Sequence, residues 1–154
     1  MVTNGSAVLS FATVGASAGQ VIQVLSATDS TTRTTGSTSF VTGSNTLSVT
    51  ITPSSASNKI LILVSSSVYG TDTADAYYTI YRGSTNLGTA DGFAATFSGG
   101  GTLYVPLCMN YLDSPATTSA TTYQVYMRTS SAAGGGTLNG ETTKGTITCL
   151  EIKG

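Results

Sequence analysis

Few groups in this chain have the chemistry of a catalytic or metal site, and none is a histidine. That absence removes the commonest general base and the commonest imidazole ligand together, so Ser-His-Asp and Cys-His catalysis are excluded. Seven carboxylates remain: Asp29, Asp72, Asp75, Asp91, Asp113, Glu141 and Glu151. A pair of them flanking a glycosidic bond would suit sugar hydrolysis. Yet Asp72 and Asp75 belong to a turn-like GTDTAD run, and Asp113 precedes Ser114-Pro115, where Asp is favoured for backbone reasons. Tryptophan, the usual sugar platform, is absent. Asp72 and Asp75 are close enough in sequence to share a calcium ion, but the acidic ladder of an EF-hand loop is missing. Cys108 and Cys149 lie in strand-like runs beside apolar neighbours, which favours two small buried hydrophobes over a disulfide. With no CxxC pair, a zinc site is not expected. The chain therefore reads as a non-enzyme with no cofactor and no metal.

The largest polar-aromatic resource is eight tyrosines: Tyr69, Tyr77, Tyr78, Tyr81, Tyr104, Tyr111, Tyr123 and Tyr126. All fall in or beside strand-like runs. Tyr buries a large area at small entropic cost, so those on an outer face are candidate anchors for a partner and the rest are core. Three glycine-rich stretches, 86–92, 98–101 and 133–136, could in principle cradle phosphate. None precedes a helix or ends in GKS or GKT, so they read as exposed loop tips at one end of a sandwich.

The elements that position these groups are strands. At 154 residues the chain fits one domain, and its 40% hydrophobic content supports a packed core. Charged residues make up only 8% of the chain, well below ordinary usage, and about a third of the residues are Ser or Thr. Thr fits a pleated surface through its branched Cβ and keeps it wet without charge. A net charge of −1 and six scattered cations, Arg33, Lys59, Arg82, Arg128, Lys144 and Lys153, give no footprint for nucleic acid. No apolar run approaches the length of a membrane span, and the N-terminus lacks the basic region of a secretory signal.

Leu47, Val49 and Ile51 alternate with Ser48, Thr50 and Thr52, and Pro53 closes that strand. Residues 59–68 follow as a long strand, continuously apolar through Val64 and so expected at the centre of a sheet. In 76–82, Tyr77, Thr79 and Tyr81 oppose Tyr78, Ile80 and Arg82. Residues 102–112 and 122–129 read as an antiparallel pair, and 145–153 as the last strand, with Ile147 and Cys149 on one face. Earlier strands are expected at 20–26, 31–35 and 39–41. About nine or ten short strands with almost no helix predict an all-β fold: a single antiparallel sandwich, jelly-roll-like, over 20–154. Residues 1–19 read as a short N-terminal arm, with Val8, Leu9, Phe11 and Val14 as its apolar contacts for a partner or a neighbouring protomer.

Several phrases are distinctive: ITPSSASNKILI, YRGSTNLGTADG, LDSPATTSATTYQV and the terminal ITCLEIKG. Together with the Ser/Thr-rich run that begins at Gly19, they resemble a β-module of virion proteins of tailed phages, cyanophages included, across residues 19–154. The resemblance implies a structural protein of the virion exterior, found in tail fibres and in capsid decoration, and it carries no catalytic residues. No long shaft precedes the module in this sequence, which turns the expectation towards a decoration, or cement, protein that contacts the major capsid protein and stabilises the head. Homotrimerisation is implied by that class alone, since no heptads set a stoichiometry. The alternative is a tail-fibre or tail-tip module that reads host surface glycan through loops bearing Tyr69, Asp72, Asp75, Phe93 and Phe97. A secreted adhesin-like domain fits the composition but not the resemblance.

Overall fold

The computed structural model describes residues 15, 17–71, 74–97 and 103–154. Eleven strands and one 3-10 turn form among them. The strands are β1 (Val21–Asp29), β2 (Arg33–Thr35), β3 (Ser48–Ile51), β4 (Lys59–Gly70), β5 (Ala76–Arg82), β6 (Thr85–Asn86), β7 (Ala94–Thr96), β8 (Val105–Asp113), β9 (Thr121–Thr129), β10 (Gly136–Leu138) and β11 (Gly145–Ile152). The 3-10 turn, Gly140–Thr142, separates β10 from β11.

Every pairing is antiparallel, and the strands form the two sheets of a β-sandwich. In the first sheet β4 is central: β11 and then β10 pair with one side of it and β8 with the other. β1 pairs with the outer side of β11, and β2 with the outer side of β10. The second sheet runs β3–β9–β5, with β6 and β7 sharing the far side of β5. A bridge from Val41 to Met127 continues the line of β3 along β9. With collinear segments taken together, each sheet has four strand positions. The chain changes sheet at every connection except β1–β2, β10–β11 and those along β5, β6 and β7.

The period-2 alternation of strands selects the core. Ile60, Ile62, Val64, Leu107, Met109, Ile147 and Cys149 point inward from the first sheet; Leu47, Val49, Ile51, Tyr78, Ile80, Tyr123, Val125 and Met127 meet them from the second side. Each such fully buried aliphatic or aromatic side chain contributes roughly 1.5–3 kcal/mol by leaving water. Burial pushes the Cys149 thiol up to about 12, so it behaves as a small apolar group.

Three buried carboxylates tie the connections down. Glu151 on β11 accepts the Ser54 N–H (2.6 Å), the Ser54 hydroxyl (2.9 Å) and the Asn58 amide (2.6 Å), and so fixes the β3–β4 crossing. Asp29 at the end of β1 accepts the Thr31 and Thr46 N–H groups, both at 2.9 Å, and Arg33 Nε at 3.0 Å. Burial opposes ionisation of both carboxyls, but these donors outweigh it and hold each below its ordinary value. Asp113 at the end of β8 accepts Arg82 Nη1 on both oxygens (2.8 and 2.9 Å) and the Tyr123 hydroxyl at 2.6 Å, tying the two sheets together. Burial, together with the Asp113 carboxylate, pushes the Tyr123 phenol far above its ordinary value.

Several expectations are corrected. Strands β8 and β9 lie in different sheets and do not pair, because the turn between them crosses the sandwich. Asp113 is more than a turn former, being buried in the ion pair with Arg82. Cys108 is exposed, since it alternates with the inward Leu107 and Met109. Strand β4 is central as expected, yet it alternates: Leu63 is exposed although both its neighbours are buried. Of the glycine-rich stretches, 98–101 lies outside the described residues; in the others Thr89, Ala90, Asp91 and Ala133 are exposed as expected, while their glycines pack against the sandwich. Gly134 lies against Ala74, and Gly136 opens β10 in a buried position. The 86–92 turn folds onto β5, where Gly92 sits at φ +81° and an added Cβ would come within 2.3 Å of the Tyr78 carbonyl oxygen. Only glycine fits there.

Candidate functional site

The arm residues Val8, Leu9, Phe11 and Val14 lie outside the described residues, as does Asp72. The remaining expected loop contacts divide. Phe97 is 76% exposed, close in sequence to Leu103 at 68%, in the connection between β7 and β8. Tyr69 is no loop residue: it sits half-buried on β4, edge-on to Tyr104 with centroids 4.7 Å apart. The Tyr104 hydroxyl donates to Glu141 at 2.6 Å, and that bond to a carboxylate raises its phenol to about 12. Asp75 is half-buried; its N–H donates to the Ser130 hydroxyl and its carbonyl accepts the Ser130 N–H, each at 2.9 Å. Phe93 packs on the core edge-on to Tyr111, at 5.4 Å. These two were expected to be exposed; their neighbours in the chain pull them against the sandwich instead.

Two further described carboxylates are engaged. Asp91 takes Arg128, and Glu141 takes Tyr104. Among the described residues no three His, Cys, Asp or Glu side chains gather as a metal site. A shallow hollow of about 360 Å³ opens beside Gly83, Pro115 and Thr121, but the charged group on its wall, Arg82, is already bound to Asp113. Among the described residues no arrangement aligns a nucleophile, a base and an oxyanion donor.

The surfaces with something to offer a partner are the two outer sheet faces. On the second sheet the residues pointing outward from β5 and β9 include Tyr77, Tyr81, Tyr126 and Arg128. Tyr81 stacks on Tyr126 at 4.0 Å, and Phe40 meets Tyr81 edge-on at 6.3 Å. The Arg128 guanidinium lies between Tyr77 (4.0 Å) and Phe40 (5.3 Å) and binds Asp91 at 2.6 Å. These aromatics are each other's partners, with the cation held between two ring faces.

The outer face of the first sheet is different. Register places Val24, Leu150, Leu61 and Leu112 side by side in one row across β1, β11, β4 and β8. The next row is Ser26, Thr148, Leu63 and Asn110, and a third holds Thr28, Thr146, Ser65 and Cys108. Val24 is 55% exposed, Leu112 48% and Leu63 41%. On the other side of the first row, Val21 pairs with Ile152, and Ile152 with Lys59, the one charge on these four strands' outer face among the described residues. The result is a flat, nearly chargeless patch, roughly 15–20 Å across four strands, with an aliphatic band along it. This exposed aliphatic band is the candidate interaction site.

Sequence reasoning missed this face, along with Phe40 and Arg128. Val24, Leu61 and Leu112 are legible one by one as strand residues; their alignment depends on the β1–β11–β4–β8 order, which no local pattern states. No protein-family model matches the chain, and no curated protein is detectably similar to it.

Proposed function

We propose that this chain is a non-enzymatic structural protein of a tailed-phage virion, on the particle exterior, and that it acts as a capsid decoration or cement protein. Its sandwich is read as a jelly roll, whose two four-position sheets and repeated crossings suit that topology. The observation that carries the functional reading is the nearly chargeless outer face of the first sheet, with its exposed aliphatic band. A protein lattice offers such a face a desolvated partner, and many weak copies add through multivalency. Because a decoration protein binds the assembled lattice and not its separated subunits, it stabilises the head by mass action. The carboxylates and the distinctive phrases serve the fold: Ser54, Asn58 and Glu151 meet in one clamp, and Arg82, Asp113 and Tyr123 in another. Particles lacking the protein should release their genome at lower temperature, and unchanged heat resistance would count against cementing.

A second reading, a tail-tip module for host surface glycan, is favoured by one observation: among the described residues Phe97 and Leu103 are the most exposed large apolar side chains, and both lie in the β7–β8 connection. Replacing both with Ser should then weaken adsorption to host cells while head stability is unchanged. Under the cement reading, adsorption is unaffected.

A further inference from the structure

Among the described residues the first sheet ends at β1, which pairs with β11 on one side only. From Val21 to Thr28 this edge strand contains no charge and no proline. Natural sheets guard such an edge with lysine, proline or a covering loop, because its free N–H and C=O groups accept another strand. Here the register with β11 is broken once, between Val21 and Gln23, and runs without slip from Gln23 to Asp29.

The direction of the free groups can be read from one bond. The Thr28 carbonyl accepts the Thr46 hydroxyl at 3.3 Å, so it points away from β11. In an antiparallel ladder alternate residues direct both backbone groups to the same side. Val24 and Ser26 therefore turn their N–H and C=O groups to the open edge as well. The side chains agree. Val24 stands exposed on the outer face, and Leu25, opposite the buried Cys149 on the core side, is still 37% exposed because no described residue covers it from that edge. The buried Gln23 Oε1 also lacks a hydrogen-bond partner.

We infer that β1 pairs antiparallel with β1 of a second copy of this chain about a two-fold axis, joining the two first sheets into one. The occupant must be an extended, neutral, apolar strand. A second β1 is such a strand, and two uncharged copies meet without like-charge repulsion. An isologous contact closes at two copies, whereas β1 against a different edge would propagate into an open chain. The opposite edge of the sheet, β8, is also less suited, since Pro106 removes one of its donors. Pairing through β1 covers Leu25 and makes the apolar rows of the two copies continuous. This inference concerns the edge and not the flat face, so it stands whether or not the protein sits on a capsid.

The test is native mass spectrometry of the full chain over a dilution series, with residue-resolved hydrogen exchange on the same samples. The expected result is a dimer that dissociates on dilution, with the Val24 and Ser26 amides slow to exchange in the dimer and fast in the monomer. Ser26→Pro removes an outward-facing donor and should abolish the dimer, while Leu112→Lys, at the far side of the same sheet, should keep it. A chain that stays monomeric at every concentration, a trimer, or a dimer whose Val24 and Ser26 amides exchange freely would each overturn the inference. The exchange measurement decides the matter on the unmodified protein even if Ser26→Pro fails to fold.

Discussion

The two outer faces of this sandwich solve the same problem in different ways. Both belong to sheets whose inner faces are fully used by the core. On the second sheet, Tyr81 and Tyr126 stack, Arg128 lies between Phe40 and Tyr77, and Asp91 neutralises the cation. Aromatic rings and a guanidinium can satisfy one another in a single layer because their contacts are directional. The first sheet instead carries an aliphatic band whose side chains stand open to water, with Val24, Leu112 and Val21 the most exposed. An aliphatic row has no such directional partner, and its remaining exposed surface is covered only by a second layer. On the proposed reading, the first sheet is the face left for a partner, while the second is covered by its own side chains.

The strongest way to break that comparison is to remove a ring from the self-covered face. Tyr126→Ala deletes the stack on Tyr81 and should cost about 2–3 kcal/mol, combining lost burial with the ring–ring term. For a chain of this size that lowers the melting temperature by several degrees; a melt unchanged by calorimetry would mean that the aromatic layer is ornamental. The next effect is acid sensitivity at the first sheet's ends. Asp29 and Glu151 are held below their ordinary values of 3.8 and 4.5 in the folded chain. Their contribution is therefore complete above that range and is lost as pH falls through the lower folded values. Glu151→Gln should flatten the acid limb of a stability–pH curve and cost about 1–2 kcal/mol at neutral pH, because three donors lose an ionised acceptor. Arg128→Met should cost about 1 kcal/mol, the cation–π share of the layer, measurable by denaturant unfolding. Smallest of all, Leu63→Ser with Leu112→Ser should change the stability of the isolated chain by no more than about 0.5 kcal/mol. A large loss from that pair would show that the apolar face is part of the fold and not a surface reserved for a partner.

The strands were largely legible because alternation is local. Leu47, Val49 and Ile51 declare an inner face by themselves, and Pro53 marks where the strand stops. Partner choice was not local: 102–112 and 122–129 look like a hairpin, and only the crossing between the sheets, tied by Asp113 to Arg82 and Tyr123, sends them to opposite layers. The same ion pair explains why Asp113 looked like a turn residue, since its position beside Ser114-Pro115 is visible and its partner 31 residues away is not. Cys108 was misjudged because apolar neighbours in a strand say nothing about which of two faces a residue takes. The candidate face was the least legible of all, since its rows draw single residues from four strands far apart in the chain.

Cys108 offers the most direct test, because it lies on the apolar face while Cys149 is buried in the core. Maleimide labelling of the free chain should modify Cys108 and spare Cys149. In intact particles carrying the protein, the account predicts that Cys108 is protected and becomes reactive again when the protein is released. Equal labelling of Cys108 in the free and assembled states would contradict the claim that the first sheet is the docking face.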